Sequence, residues 1–223
     1  MCGRFTLTSD MDLLLYRFAI GMPVDFDYLP RYNIAPTQTI LGIVNEDDQS
    51  RFKLFKWGLI PFWAKDTKFG AKMINARCET LAEKPSFKHL IKRRRCLIPA
   101  DGFYEWIQTE TPKQPVYIRL KSSQPFAFAG LWDEWQSSSE VIQSCTIITT
   151  EANSLIQPVH NRMPVILRPE QEQLWLDPEL QNYDELSKLF KPYPSEEMEM
   201  YPVSRLVNSP RNESPKCLEP LGL

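Results

Sequence analysis

The sequence predicts an α+β fold, a single domain spanning residues 1–223 built on mostly antiparallel, barrel-like β-sheet with flanking helices. Three observations carry this. Strand-like runs dominate residues 96–149 and 163–168 and are preceded by a hairpin pattern at 39–57. Helical spacing is confined to short segments near both ends and before residue 95. The 19 prolines are spread along the chain without a linker-like block, and no internal repeat divides it. A length of 223 residues is routine for one such domain.

Taken in order, Phe5-Thr6-Leu7 reads as a short strand. Ser9 then caps a helix, with Asp12 in the capping-box position and Met11, Leu14, Leu15 and Phe18 at helical spacing. A loop containing Pro23, Pro30 and Pro36 follows. Residues 39–45 and 51–57 alternate around Glu46-Asp47-Asp48-Gln49-Ser50, the pattern of a hairpin. Pro61 to Ala76 is irregular, and 79–93 is helical with a break at Pro85 and a restart at Ser86. Strands are expected at 96–99, 102–107, 115–121, 126–132 and 141–149. A short helix at 151–157, a strand at 163–168 and helices at 169–176 and 183–190 complete the elements. From about Arg205 onward, three prolines mark a coil tail.

Composition excludes several classes. Hydrophobic residues make up 43% and charged residues 24%, as in an ordinary globular protein. Arg4, Asp10, Asp12 and Arg17 interrupt any signal-peptide core, and no apolar run is long enough to span a bilayer. The expectation is a cytoplasmic protein without membrane contact. The cysteines (2, 78, 96, 145 and 217) are odd in number and form no close pair, which argues against a disulfide framework or structural zinc. Two histidines, no His-Glu-x-x-His and no Gly-rich phosphate loop leave no handle for a metal or nucleotide cofactor. None is expected.

The net charge of −2 conceals a segregation. Residues 51–95 hold 13 Lys or Arg against 3 acidic residues, an excess of +10, which leaves −12 for the rest. Phe52, Phe55, Trp57, Phe62, Trp63, Phe69 and Phe87 lie in the same segment. Cations that follow phosphates and aromatic faces that stack bases suit a single-strand binder, although individual aromatics there also read as core.

The amino terminus, Met1-Cys2-Gly3-Arg4, carries the sharpest chemistry. Initiator Met is trimmed before a small residue, and trimming leaves a 1,2-aminothiol. Its amine condenses with an aldehyde to a Schiff base, and its thiol closes on the imine to a thiazolidine. An α-amine titrates near ~8, so roughly a tenth is neutral at pH 7, and the thiol needs only a nearby cation, for which Arg4 is a candidate. Two other readings stand beside this one. Cys2 is equally a small buried residue, or an acyl-transfer nucleophile of the kind found at the start of glutamine amidotransferases.

Three further contexts stand out: Met73-Ile74-Asn75-Ala76-Arg77, Pro99-Ala100-Asp101-Gly102-Phe103-Tyr104-Glu105-Trp106 and Pro158-Val159-His160-Asn161-Arg162-Met163-Pro164. Singly, each has a structural explanation: a turn Asn, a salt-bridged Glu, a scaffold His. Together with Met1-Cys2-Gly3-Arg4-Phe5, Tyr32-Asn33-Ile34-Ala35-Pro36-Thr37, Lys56-Trp57-Gly58-Leu59-Ile60-Pro61 and Ala129-Gly130-Leu131-Trp132, they resemble the SRAP family (SOS-response-associated peptidase), the abasic-site-processing proteins. The resemblance runs from residue 1 to about 168 without departure at the motif positions.

The resemblance implies a sensor and shield of abasic sites in single-stranded DNA, cytoplasmic and on the nucleoid during DNA damage. Cys2 would supply amine and thiol for a covalent thiazolidine crosslink to the ring-opened sugar, with AP-lyase activity and autoproteolytic removal of Met1 alongside. Glu105 would be general acid/base; His160 would assist proton transfer and β-elimination; Asn75 would orient the terminus and the sugar oxygen. Arg4, Arg77 and Arg162 resemble phosphate-binding positions, and Trp63 a stacking face. The implied partner is single-stranded DNA containing abasic sites, met by a monomer. Two readings compete: a peptidase or amidohydrolase using Cys2 and His160, and a non-catalytic DNA-binding adaptor.

Overall fold

A computed structural model describes residues 2–21, 27–108 and 113–222. Its strands, in chain order, are β1 (Phe5–Leu7), β2 (Arg31–Ile34), β3 (Thr39–Glu46), β4 (Gln49–Trp57), β5 (Asn75–Arg77), β6 (Arg95–Ala100), β7 (Gly102–Ile107), β8 (Gln114–Leu120), β9 (Phe126–Gln136), β10 (Val141–Glu151), β11 (Arg162–Pro164), β12 (Ile166–Leu167) and β13 (Met198–Pro202). The helices are short: α1 (Met11–Arg17), α2 (Leu90–Arg93), α3 (Pro169–Leu176) and α4 (Tyr183–Ser187). The fold is α+β on mostly antiparallel sheet, as expected.

Five strands close on themselves in the order β4-β3-β6-β9-β10, with β10 pairing back to β4. Every pairing in this ring is antiparallel except β10–β4. Closure removes the exposed edges that an open sheet of this kind would present. The β3–β4 hairpin turns at Asp47 and Asp48, both at positive φ (53° and 58°), so the turn is two residues long and Glu46 pairs with Gln49. Such a turn matches the twist of the strands it joins.

A second, wholly antiparallel sheet has the order β13-β8-β7-β1-β2. Residues of β7 alternate between its faces. Phe103 joins the main core that also contains residues of the ring, whereas Tyr104 joins a smaller cluster with Tyr117, Val203 and Val207. That smaller cluster is where the carboxy-terminal segment docks. Among the described residues 205–222, the helical turns are two 3-10 turns at Arg205–Asn208 and Pro215–Cys217, and Val207 and Cys217 are fully buried.

Several local expectations are corrected. Asp10, not Ser9, caps α1: its Oδ1 accepts from Leu13 N at 2.8 Å. Ser9 is drawn away by Asp101, which accepts from its Oγ (2.6 Å) and its backbone N (3.1 Å). Within 79–93 only Leu90–Arg93 is α-helical, the rest being 3-10 and turns on either side of Pro85. Residues 151–157 form turns, in which the Asn153 side chain takes the Ile156 N–H. The strand at 163–168 divides into β11 on β10 and β12 on β9, because Val165 bridges both, donating to Ile148 and accepting from Ala129. The stretch Pro61 to Ala76, expected to be irregular, holds a 3-10 helix at Thr67–Lys72 and the start of β5, which pairs with β10; β2 and β13 are likewise strands that the sequence does not predict. Pro23 of the predicted loop lies outside the described residues, as does Met1.

Gly102 is the tightest point between β1 and β8. A Cβ there would fall 2.4 Å from Tyr117 Cζ and 2.7 Å from the Ile118 carbonyl oxygen. The Tyr117 hydroxyl meets Thr6 Oγ1 at 2.8 Å, so its ring has no free direction to yield. Gly102→Ala is expected to destabilise the fold by about 1–3 kcal/mol, the usual range for overpacking, measured as a lowered urea midpoint at unchanged m. A midpoint equal to that of the native chain would show that the sheet relaxes freely here.

Candidate active site

The register of β1 against β7 brings the amino terminus to Glu105. Phe5 pairs with Phe103 and Thr6 with Gly102, and Tyr104 N donates to Arg4 O at 2.9 Å. Carrying the register outward sets Gly3 opposite Glu105. By the same period of two, Glu105 shares the face of Phe103, which explains why a carboxylate is only 5% exposed. Burial pushes its carboxyl above the usual carboxylate range, with the charges of the chain's amino terminus and His160 pulling the other way.

Cys2 is fully buried. Burial and then the Glu105 charge hold its thiol well above its ordinary value, opposed by the amino terminus and by a backbone hydrogen bond from Arg4. The suggestion that the Arg4 side chain lowers this thiol is therefore corrected. The guanidinium turns to the opposite face of the sheet, where Nη1 donates to Asn33 Oδ1 and Val207 O, both at 2.6 Å, and its Cζ lies 5.8 Å from the Trp106 ring centroid.

Asn75 opens β5, parallel to β10 with Asn75 opposite Ile147. Its Nδ2 donates to the Cys2 carbonyl at 2.8 Å, which fixes the amide orientation because a carbonyl only accepts. Among the described residues, the buried Oδ1 of Asn75 meets no donor. Across β10 from β5 lies β11, and the turn that feeds it presents His160. The Arg162 backbone N–H donates to His160 Nδ1 at 2.9 Å. The same Nδ1 lies 3.2 Å from the Arg162 carbonyl, so the backbone of Arg162 holds this edge of the ring.

Two clefts flank Cys2. One, of about 700 Å³, is lined by Gly3, Arg4, Glu105, Trp106 and His160 together with Lys113 and Asn208. The other, of about 560 Å³, is lined by Asn75 and Arg77 together with Phe69, Lys72 and Lys84. Glu105 and His160 thus share one wall, while Asn75 reaches Cys2 from the other. Arg77 is exposed. Trp63 is 45% exposed and meets Phe69 edge-on at 5.5 Å. Arg162 is paired: Nη1 and Nη2 meet Glu79 Oε1 and Oε2 at 2.6 and 3.0 Å. Sequence reasoning missed Lys72, Lys84, Lys113 and Asn208. The basic segment contained the first two without singling them out, and nothing in the sequence tied Asn208 of the tail to Trp106, whose Nε1 donates to it at 2.7 Å.

A closed five-strand ring joined to a second sheet, with the amino-terminal cysteine between two clefts, matches a known class. The chain belongs to the SRAP family: residues 1–210 match the family described as SOS response associated peptidase. Among its relatives, the abasic site processing protein YoqW of Bacillus subtilis is 50% identical over 98% of this chain and 99% of its own. YoaM, of the same bacterium and the same description, is 48% identical over 98% of each chain. A crystal structure of a Bacteroides thetaiotaomicron protein superposes with a TM-score of 0.86 at 30% identity, covering 99% of this chain and all of that one.

The buried Glu105 has a consequence for stability. Its folded value lies above the ordinary glutamate value of ~4.3, so its contribution to stability is present below that pH and is lost as pH rises through the folded value. Glu105→Gln, which cannot ionise, is expected to melt higher than the native chain at pH 8, by a margin that shrinks toward pH 4. Equal margins at both pH values would mean that Glu105 ionises as easily folded as unfolded.

Proposed function

We propose that this protein traps abasic sites in single-stranded DNA by a covalent thiazolidine bond to Cys2, exposed as the first residue by removal of Met1. The observation that carries this reading is the position of Cys2: backbone held by Asn75, thiol beside the raised carboxyl of Glu105, and a cleft shared by Glu105 and His160 at its side. The relatives named abasic site processing proteins support it independently.

The steps balance as follows. The neutral Cys2 amine attacks the ring-opened aldehyde carbon to give a carbinolamine. Protonated Glu105 delivers its proton to the hydroxyl, water leaves and an iminium remains. The thiol adds to the iminium carbon and gives its proton to the Glu105 carboxylate, which restores the acid and releases the thiazolidine with one water. A thiol kept protonated until this last step favours amine attack first. A carboxyl raised by burial suits exchange of one proton in both directions near neutral pH.

His160 serves the sugar: it assists ring opening and the β-elimination behind lyase activity. The unoccupied acceptor of Asn75 takes the amine or a sugar hydroxyl. Arg77, Lys72 and Lys84 follow phosphates while Trp63 and Phe69 offer stacking faces. The acyl-transfer reading asks for a thiolate, which the burial of Cys2 opposes.

Intact-mass spectrometry of the untagged protein mixed with single-stranded DNA bearing one abasic site tests the reading. The expected product is a denaturant-resistant adduct at the mass of one protein plus one DNA minus water. It should be missing when Met1 is retained behind a tag, and reducible but not durable for Cys2→Ser. No adduct from a chain confirmed to begin at Cys2 would discard the crosslinking reading and bring the amidohydrolase forward. Glu105→Gln should bind DNA as the native chain does but form the adduct about 10²–10⁴-fold more slowly, the usual range for general acid–base catalysis. Unchanged kinetics would remove Glu105 from that role.

A further inference from the structure

Next to His160 in the chain, the Arg162 fork holds a carboxylate in the place where a phosphate would fit. Glu79 meets it with both oxygens, at 2.6 and 3.0 Å, the two-point geometry that guanidinium uses for carboxylate and phosphate alike. The two partners differ in how firmly they are held. Arg162 has a side chain only 13% exposed and is anchored from behind, its Nη2 donating to Thr149 O at 2.5 Å and its backbone N–H to His160. Glu79 is 53% exposed, lies on a 3-10 turn just past the exposed Arg77, and is one of only three acidic residues in the +10 segment. Removing its carboxylate would leave the fork aimed and charged.

We infer that Glu79 is a resident substitute for a backbone phosphate on Arg162, displaced when single-stranded DNA enters. This inference rests on the DNA reading above and assigns Glu79 a role in specificity. The seat on Arg162 is preformed, because Thr149 and the strand pairing of β10 with β5 and β11 hold it whether or not Glu79 is in place. Intact single strands must compete with a carboxylate tethered at high local concentration, which weakens their binding. A strand bearing an abasic site draws on further contacts with Cys2, Asn75 and Glu105, and is retained. Glu79 thus lowers the reversible affinity of both strands by the same factor, and only a strand that goes on to a covalent bond at Cys2 outlasts that loss.

The test is fluorescence anisotropy of the full chain with an intact single-stranded oligonucleotide at fixed low salt. Glu79→Gln is expected to bind about tenfold more tightly than the native chain. Glu79→Asp, which keeps the charge but shortens the reach, should fall between them. Glu83→Gln removes an equal charge from the same segment and controls for general electrostatics; its gain should stay below about twofold. In an Arg162→Gln background the Glu79→Gln gain should vanish. If the native chain binds the oligonucleotide but Glu79→Gln binds no better than Glu83→Gln, or more weakly than the native chain, Glu79 is a structural tie and the inference is overturned. If no form of the chain binds, abasic or intact, the DNA reading itself fails and takes this one with it.

Discussion

The site depends on one aromatic contact more than on any catalytic hydrogen bond. Phe5 is fully sequestered and packs edge-on against Trp57 of β4 (5.1 Å) and Phe128 of β9 (5.8 Å). It stands only three residues from Cys2, so packing a ring of the amino-terminal strand into the core fixes the direction from which the chain end arrives. Trp57 then donates its indole N–H to Ile74 O at 3.0 Å, and the next residue, Asn75, holds the Cys2 carbonyl. A loop closes: Phe5 positions Trp57, Trp57 positions Asn75, and Asn75 positions Cys2. Chain ends ordinarily fray, and a reactive group placed on one would sample many geometries. Insertion of β1 between β7 and β2, near the middle of a five-stranded sheet, removes that freedom.

The same burial sets the chemical character of the groups it gathers. A buried thiol and a buried carboxyl resist ionisation for one reason, the loss of water around the charge, and the Glu105 charge further discourages that of the thiol. An enzyme that relied on a standing thiolate would be poorly served by this environment. A reaction that needs neutral groups passing one proton between them is well served. Two arginines near the site are engaged elsewhere: Arg4 braces the carboxy-terminal segment through Asn33 and Val207, and Arg162 is neutralised by Glu79.

The sequence carried the strands of the ring well, because each alternates or forms a continuous apolar run between turn residues, and β3 to β4 could be read to within two residues. It also singled out Cys2 by its place beside the initiator Met, and Asn75, Glu105 and His160 only through the resemblance of their contexts, taken together, to the SRAP family. What it could not show follows from long-range pairing. β2 and β13 are strands only because β1 and β8 offer them partners, 24 and 78 residues away at the pairs Leu7–Arg31 and Leu120–Met198. Ser9 looks like a better helix cap than Asp10 until Asp101, brought in by β7, claims it. The roles of the three arginines differ for the same reason: sequence motif makes them equivalent, while Asn33, Val207 and Glu79 lie far from them in the chain or in a turn whose direction is set by the fold.

The carboxy-terminal segment shows how far a residue of no apparent pattern can matter. Asn33 on β2 donates its amide to Val207, Ser209 and Asn212 carbonyls, and Glu213 returns to accept from the backbone N–H groups of Tyr32 and Asn33. A segment whose own regular bonding is confined to two 3-10 turns has further carbonyls satisfied by a strand, which is what buried backbone requires. Through Asn208 it also supports Trp106, and so forms one wall of the cleft that Glu105 and His160 share. Part of the cleft lining is therefore contributed by the last elements of the chain, and Gly3 and Arg4 of the same lining come from the first. Both ends must dock on the sheet carrying Glu105 before the cleft exists, which couples the formation of the site to completion of the fold.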